Sequence, residues 1–359
     1  MKIGIIGLPL SGKSTVFNVL AGANVETKSH AGGKAAFHIG TIKVPDERLE
    51  KLAPLYNPKK ITPIEITFVD SAAPVAAKEG HKKILDISHV KEADALAHVV
   101  RFFEDESIPH PEGSVNADRD VALVELELIM SDLEAVNHRL DKIEKEMKAG
   151  QKENQKEYEL LLRSKKTLEY ETPLRDFEFT TKEDEKLVRG FQFLSQKPMM
   201  ILANVSEDKL TRPLAPEFQK LAQTKKLSVV SFCAKVEMEI DQMQPQDRAE
   251  FFKMEGIQEP ARERFVTEAF KMLDTISFFT GNENELKQWA LKKGTTALGA
   301  AGKVHSDIER GFIRAEVINA ADLVVCGSLK AAKEKGLLRL EGKDYNVNDG
   351  DVINFRFNV

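Results

Sequence analysis

The chain opens on an almost unbroken apolar run, Lys2-Ile3-Gly4-Ile5-Ile6-Gly7. A polar loop follows, and from Lys13 to Leu20 apolar residues recur at helical spacing. A buried strand that feeds a loop and then a helix is the opening of an α/β unit. Further apolar segments at 64–70, 95–102, 199–204 and 227–232 predict buried strands, each ending where polar residues begin. Ligands of open α/β sheets bind at such carboxyl ends.

Within this series the period changes. Leu126, Ile129, Leu133, Val136, Leu140, Ile143 and Met147 recur at alternating steps of three and four, which marks one side of a long helix beginning near Arg119. The residues around the stripe are mostly Glu, Lys, Asp and Arg. A polar break at Gly150 separates a second helical stretch at 154–170. An antiparallel coiled-coil hairpin accounts for both stretches, and a long solvated helix packed on the preceding domain is the alternative. Past Thr275 short strands are expected at 312–317, 336–340, 345–347 and 352–357, with helices at 284–292 and 329–335, as a small separate α+β module.

A chain of 359 residues implies two or three domains, and 42% hydrophobic with 30% charged residues is ordinary globular composition. The net charge of -5 supplies no overall field for a polyanion, so any nucleic-acid contact must come from a local basic patch. Lys292, Lys293, Arg310 and Arg314 could form one, against the default of a solvated face. Cys233 and Cys326, the only two cysteines, stand far apart and fit a reducing compartment. Residues 1–7 read as a first strand and not a signal peptide, and no apolar run reaches the ~18 residues of a membrane span. A cytoplasmic protein with no membrane or DNA partner is expected.

The loop Gly7-Leu8-Pro9-Leu10-Ser11-Gly12-Lys13-Ser14-Thr15 matches the Walker A pattern and lies between a strand and a helix, the context that motif needs. Gly12 allows close backbone approach to phosphates. The amides from Leu10 and Ser11 onward, at a helix N-terminus, offer donors and a positive dipole. Lys13 is expected on the β and γ phosphates, Ser14 on Mg²⁺, and Thr15 near the α phosphate. Asp70, ending its strand, is placed to orient magnesium, with a simple turn cap as the alternative. Asn204-Val205-Ser206-Glu207 stands where guanine-specific proteins carry Asn-Lys-x-Asp. Val205 lacks the Lys stem that covers the base, and Glu207 has a longer arm than Asp, which favours adenine over guanine. Cys233-Ala234-Lys235 resembles the Ser-Ala-Lys loop that closes over the base.

Together with the inserted hairpin, these motifs resemble the Obg-like ATPase (YchF) family of P-loop GTPases and ATPases. The tail is similar to that family's TGS module, at Phe278-Phe279-Thr280, Trp289, Lys293-Gly294-Thr295-Thr296, His305-Ser306-Asp307, 310–316, and from Glu341-Gly342-Lys343 through Phe355-Arg356-Phe357. The resemblance covers essentially the whole chain. It implies an α/β P-loop G-domain at 1–118 and 196–275, a coiled-coil insertion at 119–195 and a C-terminal β-grasp TGS domain at 276–359. It further implies ATP preferred over GTP, magnesium, and association with ribosomes or RNA.

In the family a loop histidine replaces the switch glutamine. The matching residue is His110, so the resemblance implies His110 and Lys13 as catalytic groups, and Phe103 as a candidate for packing near the base. Two stretches depart from the family pattern. His30-Ala31-Gly32-Gly33-Lys34 stands where a Tyr-Pro-Phe-x-Thr stretch supplies a magnesium-binding Thr, with Thr27 or Ser29 as conceivable replacements. Asp70-Ser71-Ala72-Ala73-Pro74 replaces the glycine-containing switch, and Pro74 has no N–H to offer. Nucleotide binding is therefore expected to survive, with slow or activator-dependent hydrolysis. The alternatives are a nonhydrolytic nucleotide-sensing adapter and a GTPase.

Overall fold

The computed structural model describes residues 1–22, 38–70, 87–149 and 154–358. Strands are β1 Lys2–Ile6, β2 His38–Lys43, β3 Lys60–Thr62, β4 Glu65–Asp70, β5 Ala95–Arg101, β6 Met199–Asn204, β7 Ser228–Phe232, β8 Thr275–Gly281, β9 Glu285–Lys292, β10 Phe312–Asn319, β11 Arg339–Glu341 and β12 Asp351–Phe357. Helices are α1 Lys13–Ala21, α2 Glu47–Tyr56, α3 Ala117–Lys148, α4 Gln155–Glu169, α5 Lys182–Arg189, α6 Pro216–Thr224, α7 Ala234–Gln242, α8 Pro245–Met254, α9 Ala261–Met272, α10 Ala297–Val304, α11 Ser306–Arg310, α12 Ala320–Cys326 and α13 Leu329–Glu334. The chain divides into two compact units. One comprises Lys2–Thr41 with Thr67–Glu268, and the other Ile42–Ile66 with Ala269–Val359.

The first unit is built on a sheet of order β2-β4-β1-β5-β6-β7. β1 pairs in parallel with β4 and β5, β5 with β6, and β6 with β7. Every residue of β5 and β6 is buried, which is why both strands read as continuous apolar runs. The parallel order brings the ends of β1, β4, β5 and β6 to one edge, where the site described below is assembled.

The first turns of α3 belong to this core, with Val121, Val124 and Leu128 buried beside Ile6, Leu96 and Val100. Farther along, Ile129, Val136, Leu140 and Ile143 bury against Leu160, Leu161 and Leu168 of α4. Arg139 forks onto Glu157 at 2.8 and 2.6 Å, and Asn154 reaches back to Glu146 at 2.8 Å, so residues earlier in α3 meet residues later in α4. The two helices therefore run antiparallel, as a hairpin requires. Leu126, expected in the apolar stripe, is instead 38% exposed. At that level α3 turns the Val124 and Leu128 side toward the sheet, and Leu126 falls outside the seam. Asp132 anchors the return of the chain, accepting hydrogen bonds from the Leu194 and Ser195 amides and the Ser195 hydroxyl.

The second unit holds a mixed sheet of order β11-β10-β12-β8-β9-β3. β8 and β9 form an antiparallel hairpin, and β12 lies parallel to β8 and antiparallel to β10. Ala297, Ala300 and Ala301 of α10 let that helix pack closely on Phe278 and Phe355, completing a β-grasp arrangement. Three segments depart from expectation here. Residues 284–292 form β9, not a helix. Buried Gln288 interrupts the apolar alternation that marks a strand, and it is held by Asp46 at 2.7 Å and Ser277 at 3.1 Å. Residues 345–347 form no strand, since Asn346 makes only an isolated bridge to Thr296. Residues 42–66, expected with the nucleotide-binding part, pack in this second unit. There β3 extends the sheet beside β9, and Leu49 and Leu52 of α2 join Phe279, Leu286 and Leu323 in its core.

Candidate functional site

At the carboxyl edge of the first sheet a cavity of about 1410 Å³ opens between the β1–α1 loop, the ends of β4, β5 and β6, and the start of α7. The β1–α1 loop curls because three residues take left-handed or related backbone angles, Gly7 at φ 151, Leu10 at φ 62 and Gly12 at φ 93. A Cβ on Gly7 would meet the Val99 carbonyl at 2.5 Å, and one on Gly12 would meet Asn204 Nδ2 at 2.4 Å. Both positions therefore exclude any side chain. Lys13 begins α1 and donates to the carbonyls of Gly7 and Leu8, each at 2.9 Å. That occupies two of its three N–H donors and aims the ammonium along the loop rather than away from it. Burial pushes the Lys13 ammonium below its usual pKa, and the charge of Asp70 opposes that shift.

Asp70 is 3% exposed at the end of β4. Burial raises its carboxyl pKa, while Lys13 and then His38 pull it back. Its Oδ1 has no hydrogen-bond partner among the described residues, and its Oδ2 lies 3.8 Å from His38 Nδ1. A buried carboxylate oxygen left unpaired is costly. Facing a hydroxyl-bearing Ser14 in the same cavity, it suits a small hard cation that takes oxygen ligands. No group of three or more His, Cys, Asp or Glu forms a ready-made metal cage among the described residues, which fits an ion that arrives with its own oxygen ligands.

Asn204 lines the cavity with its side chain already tied at both ends. Its Nδ2 donates to the Ser11 carbonyl at 3.2 Å, and its Oδ1 accepts from the Ala234 amide at 3.1 Å, so it ties the phosphate-loop end to the mouth of α7. Val205 is buried with Cys233, Val236 and Ile240 in a small apolar cluster. Burial raises the Cys233 thiol pKa, the behaviour of a packing residue. Glu207 and Lys235 are exposed and line the cavity, as do Leu10, Gly12, Lys13, Ser14, Thr15 and Ala234. Ser11 is buried beneath the loop.

His110 is placed elsewhere. Its side chain is 4% exposed, its Nε2 lies 3.0 Å from Asp120 Oδ2, and it does not line the cavity. Asp120 also receives the Arg119 guanidinium at 2.8 Å, so the imidazole sits in a closed polar cluster at the start of α3. Phe103, Glu104, Asp105 and Ile108 do line the cavity, and so does His38. Sequence reasoning assigned no role to His38, to Ile108 or to the buried Arg101 behind that wall. An arginine ending an otherwise apolar strand was the available signal for the last. The altered stretches at 30–34 and 71–74, with Thr27 and Ser29, lie outside the described residues.

A glycine-shaped loop between a parallel strand and a helix, a lysine at the helix start and a carboxylate ending a neighbouring strand define a P-loop nucleotide-binding protein. Residues 2–164 match a family described as 50S ribosome-binding GTPase, and residues 275–358 match the YchF GTPase C-terminal domain, described as a protein of unknown function. The ribosome-binding ATPase YchF of Bacillus subtilis (strain 168) is 40% identical over 367 residues, covering 100% of both chains. That of Escherichia coli O157:H7 is 36% identical over 361 residues, covering 100% of this chain and 99% of its own. The solved Schizosaccharomyces pombe YchF GTPase superposes with a TM-score of 0.81 at 26% identity, covering 99% of this chain and 97% of that one. A GTP-binding protein from Pyrococcus horikoshii OT3, at TM-score 0.60 and 18% identity, shares the fold. The chain belongs to the YchF family.

Proposed function

We propose that the cavity binds a purine nucleoside triphosphate with magnesium, prefers ATP to GTP, hydrolyses it slowly, and thereby switches the protein's association with the ribosome. The observation that carries this reading is the curled 7–15 loop, with Lys13 held along it at 2.9 Å from two of its carbonyls. In this reading the triphosphate lies against the amides of residues 10–15 at the positive end of α1, and the remaining donor of Lys13 meets its β and γ oxygens. Ser14 and Asp70 hold magnesium, which neutralises charge on the phosphates. Lys13 and the loop amides stabilise the negative charge that shifts toward the leaving group as the terminal bond breaks. His110 takes part only if its pair with Asp120 opens.

The base lies between the 103–108 segment and residues 205–207 with 233–235. Val205 brings no cationic stem over it, and Glu207 replaces the shorter carboxylate that pairs with guanine, so ATP is preferred. The ribosome enters through the relatives, whose names state ribosome binding, and a cytoplasmic site of action follows. Phosphate release by the wild type against Lys13→Ala tests turnover, and equal rates in the two proteins reject it. Titration with ATP and GTP, each with and without magnesium, tests base and metal. Lys34 and Pro74, standing where the family has Thr and an apolar residue, favour a second reading of nucleotide sensing without hydrolysis. Tight ATP binding with no turnover even on added ribosomes would select it.

A further inference from the structure

Arg101, the last residue of β5, is 3% exposed. Burying a guanidinium is costly unless its fork is satisfied. Here Nε and Nη2 bond only to main-chain oxygens of a single loop, while Nη1 has no partner among the described residues. Nε donates to Phe103 O at 3.0 Å, and Nη2 donates to Ile108 O at 2.9 Å and to Asp105 O at 3.4 Å. The guanidinium carbon also lies 4.4 Å from the centroid of the Phe103 ring. One side chain therefore fixes the start, middle and end of residues 103–108, the segment that gives Phe103, Glu104, Asp105 and Ile108 to the cavity wall.

Arg101 stands directly beside Asn204 in the β5–β6 register. Asn204 joins the phosphate loop, through the Ser11 carbonyl, to the 233–235 loop, through the Ala234 amide. The ends of two adjacent strands thus carry two staples for one cavity, and only Arg101 holds the 103–108 wall. We infer that Arg101 is the positioning residue of the base-side wall, setting affinity and selectivity for the nucleoside half of the ligand and leaving the triphosphate half untouched. This rests on the proposed nucleotide site. The planar fork is required, because a lysine ammonium at the same depth is a point donor on a flexible stem and cannot hold three carbonyls in those directions.

The test is calorimetric titration of full-length wild type, Arg101→Lys and Arg101→Gln with magnesium-ATP and, separately, magnesium tripolyphosphate, which carries phosphates and no base. The expected result is ATP affinity weakened about tenfold in Arg101→Lys, the size of one charge-assisted hydrogen bond lost, with tripolyphosphate affinity held within about twofold. In turnover the variant's KM for ATP rises and kcat at saturation stays. Unchanged ATP affinity, or ATP and tripolyphosphate weakened together, overturns the inference. If Arg101→Lys does not fold by circular dichroism, Arg101→Gln is judged by the same ratio. Failure of both to fold makes Arg101 a general stabiliser and also overturns it. Wild type that binds neither ligand refutes the nucleotide site itself, and a wild type that binds both separates that failure from this one.

Discussion

Replacing His98 with methionine is expected to flatten the acid side of the stability curve. His98 lies in the middle of β5, paired in register with Ile6 on one side and Ile201 on the other, and it is 0% exposed. Neither ring nitrogen has a hydrogen-bond partner among the described residues. Burial, with the Lys13 charge adding to it, pushes its pKa from 6.5 down to about 3. The folded protein thus refuses a proton that the unfolded chain accepts. The resulting stability is fully present above 6.5 and is lost as pH falls toward 3. One proton costs ~1.4 kcal/mol per pH unit, so moving from neutrality to about pH 5 removes roughly 2 kcal/mol from the wild type through this residue alone. Methionine is close in volume, does not titrate, and removes two unpaired polar atoms, so His98→Met should also be at least as stable at pH 8. Urea unfolding of both proteins by circular dichroism at pH 8, 6.5 and 5 reads the difference, because every other carboxyl and imidazole contributes to both curves. Parallel curves would refute the argument. So would a His98 imidazole NMR signal that titrates near its usual pKa in the folded protein.

Two further outcomes follow from the same cavity. Gly12→Ala places a methyl 2.4 Å from Asn204 Nδ2 at φ 93, so it should cost about 2 kcal/mol in thermal unfolding and abolish ATP binding; wild-type affinity would contradict the loop geometry. Asp70→Asn removes a carboxylate whose pKa burial raises. A raised carboxyl pKa favours the fold below the unfolded value, and that advantage is lost as pH rises through the folded one. The nucleotide-free variant should therefore melt no lower than wild type at pH 7, while magnesium no longer strengthens its ATP binding. A lower melting point with magnesium dependence retained would reverse that assignment.

Much of this site is legible in the sequence, because its parts are local. A glycine-shaped turn, a lysine and a hydroxyl are set by consecutive residues between a strand and a helix, so 7–15 announces its chemistry by spacing. Asp70 and Asn204 were legible as the polar ends of apolar strands. The hairpin was legible because α3 carries a sustained heptad-like stripe and a second helical stretch follows the polar break at Gly150. The stripe's first member, Leu126, fails since the partner surface changes from helix to sheet along α3, and a one-dimensional period cannot show what lies opposite.

Tertiary structure alone decided the rest, because the deciding contacts join distant residues. Asn204 ties the phosphate loop to α7 because Ser11, 193 positions away in the chain, presents a carbonyl to it. His110 is occupied by Asp120 because the start of α3 folds back on the preceding loop. Residues 284–292 form a strand because β8 and β3 flank them and Asp46 reaches across to hold Gln288. Sequence alone determined the class of ligand, through backbone shape and charge at short range. Packing determined which side chains face that ligand and which hold the walls in place, because that depends on neighbours brought together only by the fold.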